Sequence, residues 1–362
     1  MANLVIAEQL EDRLACALQR LVLSCQFGIW HSHTVLSARA RKIMSIYISG
    51  SLAFDRIMTF PGHFHDHILA ENLRTINVSF MVDGMEERRG GCAGNIAYTL
   101  SLLGQKPIII ASAGKDFGSY AAHLQQAGLP LEGIRVLDDI YTAQGFITTD
   151  LNNNQITGFY PGAMGLPADY SFPKLDPEHD IAIVSRGNMQ DMQRLPRFYK
   201  EHGVRYIYDP GQQLPVLKQE ELIEAIEGSF ALISNDYEIN MICKTTGLSP
   251  NELIGRTLWL VTTQGSKGAS VHGADGTEMH IDPVPVDNVV DPTGAGDAHR
   301  SGILFGLAAG LDLPRAARLG SVTASFTVEK MGTQEHSFTR EEFAKRYQET
   351  FGPLPKRIAA IL

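Results

Sequence analysis

Cysteine is scarce in this chain: Cys16, Cys25, Cys92 and Cys243 are the only four in 362 residues, and none stands at a CxxC or Cys/His ligand spacing. That excludes a disulfide scaffold and a zinc ribbon, and it predicts free thiols in a reducing compartment. Positive charge is short as well. Thirty-one Lys and Arg face 40 Asp and Glu, a formal net charge of −9, so no basic field exists to draw in a nucleic acid. No apolar run reaches the length of a membrane span. The expectation is a soluble cytoplasmic protein with neither membrane nor nucleic-acid partner. What is present is ordinary for a globular enzyme, 44% hydrophobic and 20% charged, and the length suits one large α/β domain or two smaller ones. The acidic balance still allows a phosphorylated ligand, because helix N-termini and backbone amides bind phosphate without side-chain charge.

Residues 1–43 read as an N-terminal extension. Leu10, Leu14, Leu18 and Leu21 fall at helical spacing, but Gln19 and Arg20 interrupt the apolar stretch and no small-residue cleavage site follows. Glu8, Glu11 and Asp12 argue against an organellar transit peptide. At Met44 the pattern changes to a short buried strand, Ser45-Ile46-Tyr47-Ile48-Ser49, closed by Gly50, so the main domain is predicted to span 44–362. From there strand-like runs at 108–113, 181–185, 204–208, 230–234 and 258–263 alternate with helical stretches such as 95–103, 120–127 and 220–226. The alternation predicts a parallel sheet with helices on both faces.

Two places break that rhythm. Residues 75–85 read as extended, and 145–150 and 155–160 flank Asn152-Asn153-Asn154, residues that tolerate the backbone of a tight hairpin. These pieces, near 75–90 and 143–163, predict a small sheet beside the main domain. A second hairpin turns at Gly273-Ala274-Asp275-Gly276, and 298–330 reads as two helices broken near Gly310 and Pro314.

The strongest chemical signal is Asp291-Pro292-Thr293-Gly294-Ala295-Gly296-Asp297, followed by a helical run. Glycines let amides converge on a ligand, and a new helix adds unpaired N–H groups, together an anion site. Asp297 stands where a carboxylate could take a proton from an attacking hydroxyl; the plainer alternative is an ordinary N-cap. Asn235 and Glu238, three residues apart, are equally consistent with a capping box.

Four motifs in order carry a resemblance. Gly90-Gly91-Cys92-Ala93-Gly94-Asn95, Asn235-Asp236-Tyr237-Glu238, Thr263-Gln264-Gly265-Ser266-Lys267-Gly268 and residues 291–304 together resemble the signatures of the PfkB, or ribokinase-like, kinases. The resemblance runs from about Ser45 to the C-terminal region and does not cover 1–43. It implies a three-layer αβα sandwich with a small β-sheet lid, ATP as co-substrate, Mg²⁺, and in some members K⁺ or a homodimer. It also implies roles: Asp297 as base, the amides of Gly294, Ala295 and Gly296 as anion hole, and Asn235 with Glu238 organising Mg²⁺–ATP. Thr263, Gly265 and Gly268 would lie along the nucleotide. Asp55, Gly91 and Asn95, with Ser51 one step behind, would hold the acceptor's hydroxyls. A carboxylate suits a vicinal diol, since it offers two acceptor oxygens to two donors.

The chain departs from the family pattern at His299, where an aromatic is usual, at Ser321, where several sugar kinases carry asparagine, and after Asp209-Pro210-Gly211-Gln212. The last departure speaks against a sugar-phosphate or keto-acid substrate. Gly50-Ser51-Leu52-Ala53-Phe54-Asp55, Asp209-Pro210-Gly211-Gln212 and 148–156 look most like bacterial and archaeal nucleoside kinases, with Phe80, Met81, Phe159 and Met164 able to cover a purine. The expectation is therefore transfer of phosphate from ATP to the 5′-hydroxyl of adenosine or a related purine nucleoside; a sugar kinase acting on ribose or fructose is the alternative. A dinucleotide oxidoreductase is excluded, since no GxGxxG follows the first strand. A nucleoside sensor without catalysis is disfavoured by the intact Asp297 loop.

Overall fold

The structure is a computed structural model that describes residues 45–68 and 78–362. The predicted extension 1–43 and the first residues of the predicted lid, 75–77, lie outside the described residues.

The hydrophobic runs become strands because both of their faces are covered. In β1 (Ile46–Ser49), Ile46 and Ile48 point into one core and Tyr47 into the other, as the period of two requires. The same division separates Ile181 and Ile183 from Ala182 and Val184 in β8 (Ile181–Ser185), and Ile207 from Tyr206 and Tyr208 in β9 (Arg205–Asp209). Strands buried on both faces read as continuous apolar runs, which is why they were legible in the sequence. Helices Cys92–Leu102, Gly118–Gln126, Ala295–Ala308, Leu313–Val328 and Arg340–Phe351 contribute to the first core, and Met189–Glu201, Gln219–Ile226 and Asp236–Thr246 to the second. The result is an αβα sandwich.

With β4 (Ile108–Gly114), β5 (Ile134–Leu137), β10 (Ala231–Asn235), β11 (Trp259–Thr263), β12 (Ala269–Gly273) and β13 (Glu278–Ile281), the main sheet has the order β13-β12-β11-β10-β9-β8-β1-β4-β5. It is parallel from β11 to β5 and ends in the antiparallel hairpin β12–β13.

The second sheet is the lid: β2 (Ala53–Thr59), β3 (Gly84–Gly90), β6 (Ala143–Thr149) and β7 (Gln155–Tyr160), in the order β3-β2-β6-β7. The β6–β7 hairpin turns at Asn153, whose φ of 61° is the left-handed conformation its sequence suggested. Residues 78–83 form no strand, and pairing starts at Gly84. The centre of the lid is β2, a segment in which the sequence pattern predicted no strand. Seven residues with two charges do not look like a buried strand, and only pairing with β3 and β6 on either side makes them one.

Candidate active site

The C-terminal edge of the parallel strands collects the chemistry. β1 runs into Gly50-Ser51 and β8 into Arg186, while β9, β10 and β11 end on Asp209, Asn235 and Thr263. Strand order reverses at β1, with β4 and β5 on one side and β8 to β13 on the other. Open α/β sheets bind ligands in the crevice outside the carboxyl ends at such a switch point.

Over this edge lies the glycine loop. Gly294 heads the helix Ala295–Ala308 at φ 81°, and a Cβ there would come within 2.9 Å of the Thr333 side chain, so glycine is dictated twice over. Asp297 is the third residue of that helix and not its cap. Among the described residues the amides of Gly294, Gly296 and Asp297 have no hydrogen-bond partner, whereas Ala295 donates to the Pro292 carbonyl at 3.2 Å. The loop is part-exposed and Asp297 is buried beneath it.

A hydrogen-bonded chain sets the orientation of Asp297. Asn95 Nδ2 donates to Asp297 Oδ2 at 2.8 Å. Asn95 Oδ1 in turn accepts from Gln334 Nε2 at 2.9 Å, and the same nitrogen reaches the Tyr120 hydroxyl, which donates to Gly90 O at 2.8 Å. Arg186 Nη2 stands 3.9 Å from Asp297 Oδ2. Behind the loop, Arg300 pairs with buried Asp209 at 2.6 Å and donates to Gly296 O at 2.9 Å, and Ser185 also donates to Asp209. His299 packs against Gly320 on the next helix, and burial pushes its pKa down to about 3, so it is a neutral packing group.

Asp55 reaches the site from β2. Its two carboxylate oxygens lie where Cβ atoms on Gly90 and Gly145 would stand, 2.6 and 2.7 Å away, so these glycines make the slot it occupies. Burial raises its pKa above the usual aspartate value, against the opposing field of Arg186. Gly91, at φ 87°, opens the helix that carries Asn95, and a Cβ on it would meet Ser51 O at 2.5 Å. The Ser51 hydroxyl accepts from Cys92 N at 3.1 Å and so caps that helix.

Farther along the sheet edge Asn235 and Glu238 form the capping box that their spacing allowed: Glu238 N donates to Asn235 Oδ1 at 2.7 Å and Asn235 N to Glu238 Oε2 at 2.9 Å. One Glu238 oxygen is thereby occupied. Thr263 ends β11 with its hydroxyl 3.4 Å from Ser234 O, and Gly265 and Gly268 turn the chain back into β12 at φ 59° and 86°. Of the lid groups, Phe80 packs on Phe60 and Phe64, while Met81 and Phe159 are exposed and the Met164 carbonyl accepts from Asn188.

The structure thus joins Asp297, Asn95 and Gly91 directly and brings Asp55 within the electrostatic reach of Arg186. Sequence reasoning missed Arg186, Gln334 and Arg300. Asp209 had been noticed, but not its buried arginine. No motif marked Arg186 or Gln334, and Arg300, though inside the 291–304 signature, gains its partner only from Asp209, 91 positions away.

The profile of the pfkB family carbohydrate kinases matches residues 64–340. The chain belongs to that family. This pfkB-family chain is 30% identical over 308 residues to a nucleoside kinase of Methanothermobacter thermautotrophicus, a match covering 83% of this chain and 98% of the relative. Its fold superposes on Burkholderia thailandensis nucleoside kinase in complex with inosine at 39% identity and a TM-score of 0.76, covering 86% of this chain and all of that one. Methanocaldococcus jannaschii nucleoside kinase gives 27% identity and a TM-score of 0.75, covering 85% and 99%.

Proposed function

We propose that this chain is an ATP-dependent nucleoside kinase that phosphorylates the 5′-hydroxyl of a purine ribonucleoside, inosine or adenosine being the first to test. The observation that carries the reading is the Asp297 carboxylate, buried under three unpartnered amides and tied through Asn95 to the Gly90–Gly91 turn beside Asp55. This arrangement supports the reading of a base, an anion site and a diol-binding carboxylate around one crevice. The nucleoside kinases of Burkholderia and of the two archaea supply the acceptor class.

In this mechanism Asp55 accepts hydrogen bonds from the ribose diol, and Asn95 holds Asp297 so that Oδ1 is free toward the incoming hydroxyl. Asp297 takes the hydroxyl proton as the oxygen attacks the γ-phosphorus, and the amides of Gly294, Gly296 and Asp297 bind the phosphoryl oxygens. Among the described residues no group of three metal-binding side chains exists. One free oxygen on Glu238 fits a Mg²⁺ that keeps most of its ligands from water and nucleotide phosphates, as this cation does. Such an ion would neutralise phosphate charge. Glu238 would hold it in place.

The test is turnover of ATP with adenosine, inosine, guanosine, ribose and fructose. Nucleosides are expected to exceed both sugars in kcat/KM. Preference for ribose or fructose would replace this reading with the sugar-kinase alternative.

A further inference from the structure

Arg186 stands out as a cation without a job. Its backbone is anchored: the carbonyl accepts from Ser51 N at 3.0 Å and from Cys92 Sγ at 2.9 Å, pinning the residue at the switch between β1 and β8. Its side-chain stem crosses Gly211, where a Cβ would lie 3.3 Å from Cδ. Yet the guanidinium makes no hydrogen bond to any described residue. Its nearest partner is Asp297 at 3.9 Å, and its side chain stays 34% exposed beside a carboxylate that is 6% exposed. Arg300, on the glycine-loop helix, has its charge committed to Asp209. An accessible fork of five donors on an anchored backbone, at the mouth of an anion site, is suited to phosphate oxygens.

We propose that Arg186 is a catalytic residue that binds the γ-phosphoryl group during transfer, donating to the oxygens that the loop amides do not reach. This rests on the kinase reading above. In the step itself the acceptor oxygen forms a bond to the γ-phosphorus and gives its proton to Asp297. The bond from phosphorus to the bridging oxygen breaks, and ADP leaves with that electron pair. Negative charge spread over the equatorial oxygens meets amides on the helix side and Arg186 on the strand side. Burial works against the arginine's charge, but Asp297, Cys92, Asp209 and Glu238 raise its pKa, so it stays protonated throughout.

The experiment compares Arg186→Met, Arg186→Lys and Arg186→Ala with the parent protein. With any acceptor the parent turns over, Arg186→Met is expected to lose ~10²–10³-fold in kcat, as removal of a positioned donor does, with both KM values held within a few-fold. Added guanidinium should restore part of the rate to Arg186→Ala but not to Arg186→Met. In calorimetry with ADP, aluminium and fluoride, Arg186→Met should lose affinity for the aluminium-fluoride complex while ADP alone binds as before. Full kcat in Arg186→Met, or a defect confined to KM, would overturn the assignment. If that variant folds poorly, Arg186→Lys decides: loss of about tenfold or more at unchanged melting temperature, one charge-assisted hydrogen bond, supports it, and full activity sinks it. A parent that phosphorylates only sugars would end the nucleoside reading and leave this test intact.

Discussion

Asp297 is a buried carboxylate and Asp55 a half-buried one, and their different surroundings fix what each can do. Asp297 accepts from Asn95 and faces Arg186. Replacing it with asparagine keeps its size while removing the base. The expected result is a loss of roughly 10²–10⁴-fold in kcat with substrate affinities little changed, measured by steady-state kinetics beside calorimetry on one preparation. Near-normal turnover would remove Asp297 from the mechanism. Asp55 has only the attraction of Arg186 to set against burial, and its pKa is raised. Because a diol needs the ionised form as acceptor, nucleoside KM should climb as the pH falls through that raised value, while the KM for ATP stays flat. The sign follows from the direction of the shift: protonation of Asp55 begins at higher pH than for an exposed aspartate. A nucleoside KM that did not rise as the pH was lowered toward and through the ordinary aspartate range would contradict the assignment.

The lid shows how a strand can be built around one side chain. Asp55 is in register with Gly145 of β6, and Gly90 ends the neighbouring β3. Each glycine leaves room for one carboxylate oxygen. Gly145→Ala places a methyl 2.7 Å from Oδ1, a contact that the carboxylate must leave. The backbone there is ordinary for a strand, so melting temperature should barely move, while nucleoside KM is expected to rise about tenfold, equivalent to one charge-assisted hydrogen bond. An unchanged KM would mean that Asp55 does not hold the nucleoside from this slot. The helix carrying Asn95 follows similar logic: the Gly91 turn and the Ser51 cap put its first turn against Asp297.

At the scale of the whole molecule, the family match begins at residue 64, and the complete Burkholderia enzyme is covered by 86% of this chain. A chain truncated to begin at Met44 is therefore expected to fold and to keep its kcat/KM. Loss of solubility or activity on removing residues 1–43 would show that they belong to the catalytic domain.

The sequence alone determined the αβα layers, because doubly buried strands are written as apolar runs and helices as 3.6-residue periodicity. It determined the glycine loop and Asp297 too, since a sharp turn before a helix demands residue types that survive as a motif. Tertiary structure alone decided β2, Gln334 and Arg186. A lid strand covered mainly by its neighbours has no apolar run of its own. Gln334 becomes part of the site only when the segment after Val328 folds back on Asn95, 239 positions away. Arg186 acquires its place beside Asp297 from the meeting of β1 and β8, more than 130 residues apart in the chain. Local pattern records what a residue does for its own element; contact across the sheet edge, where the long-range partners converge, is set by chain topology and leaves no local trace.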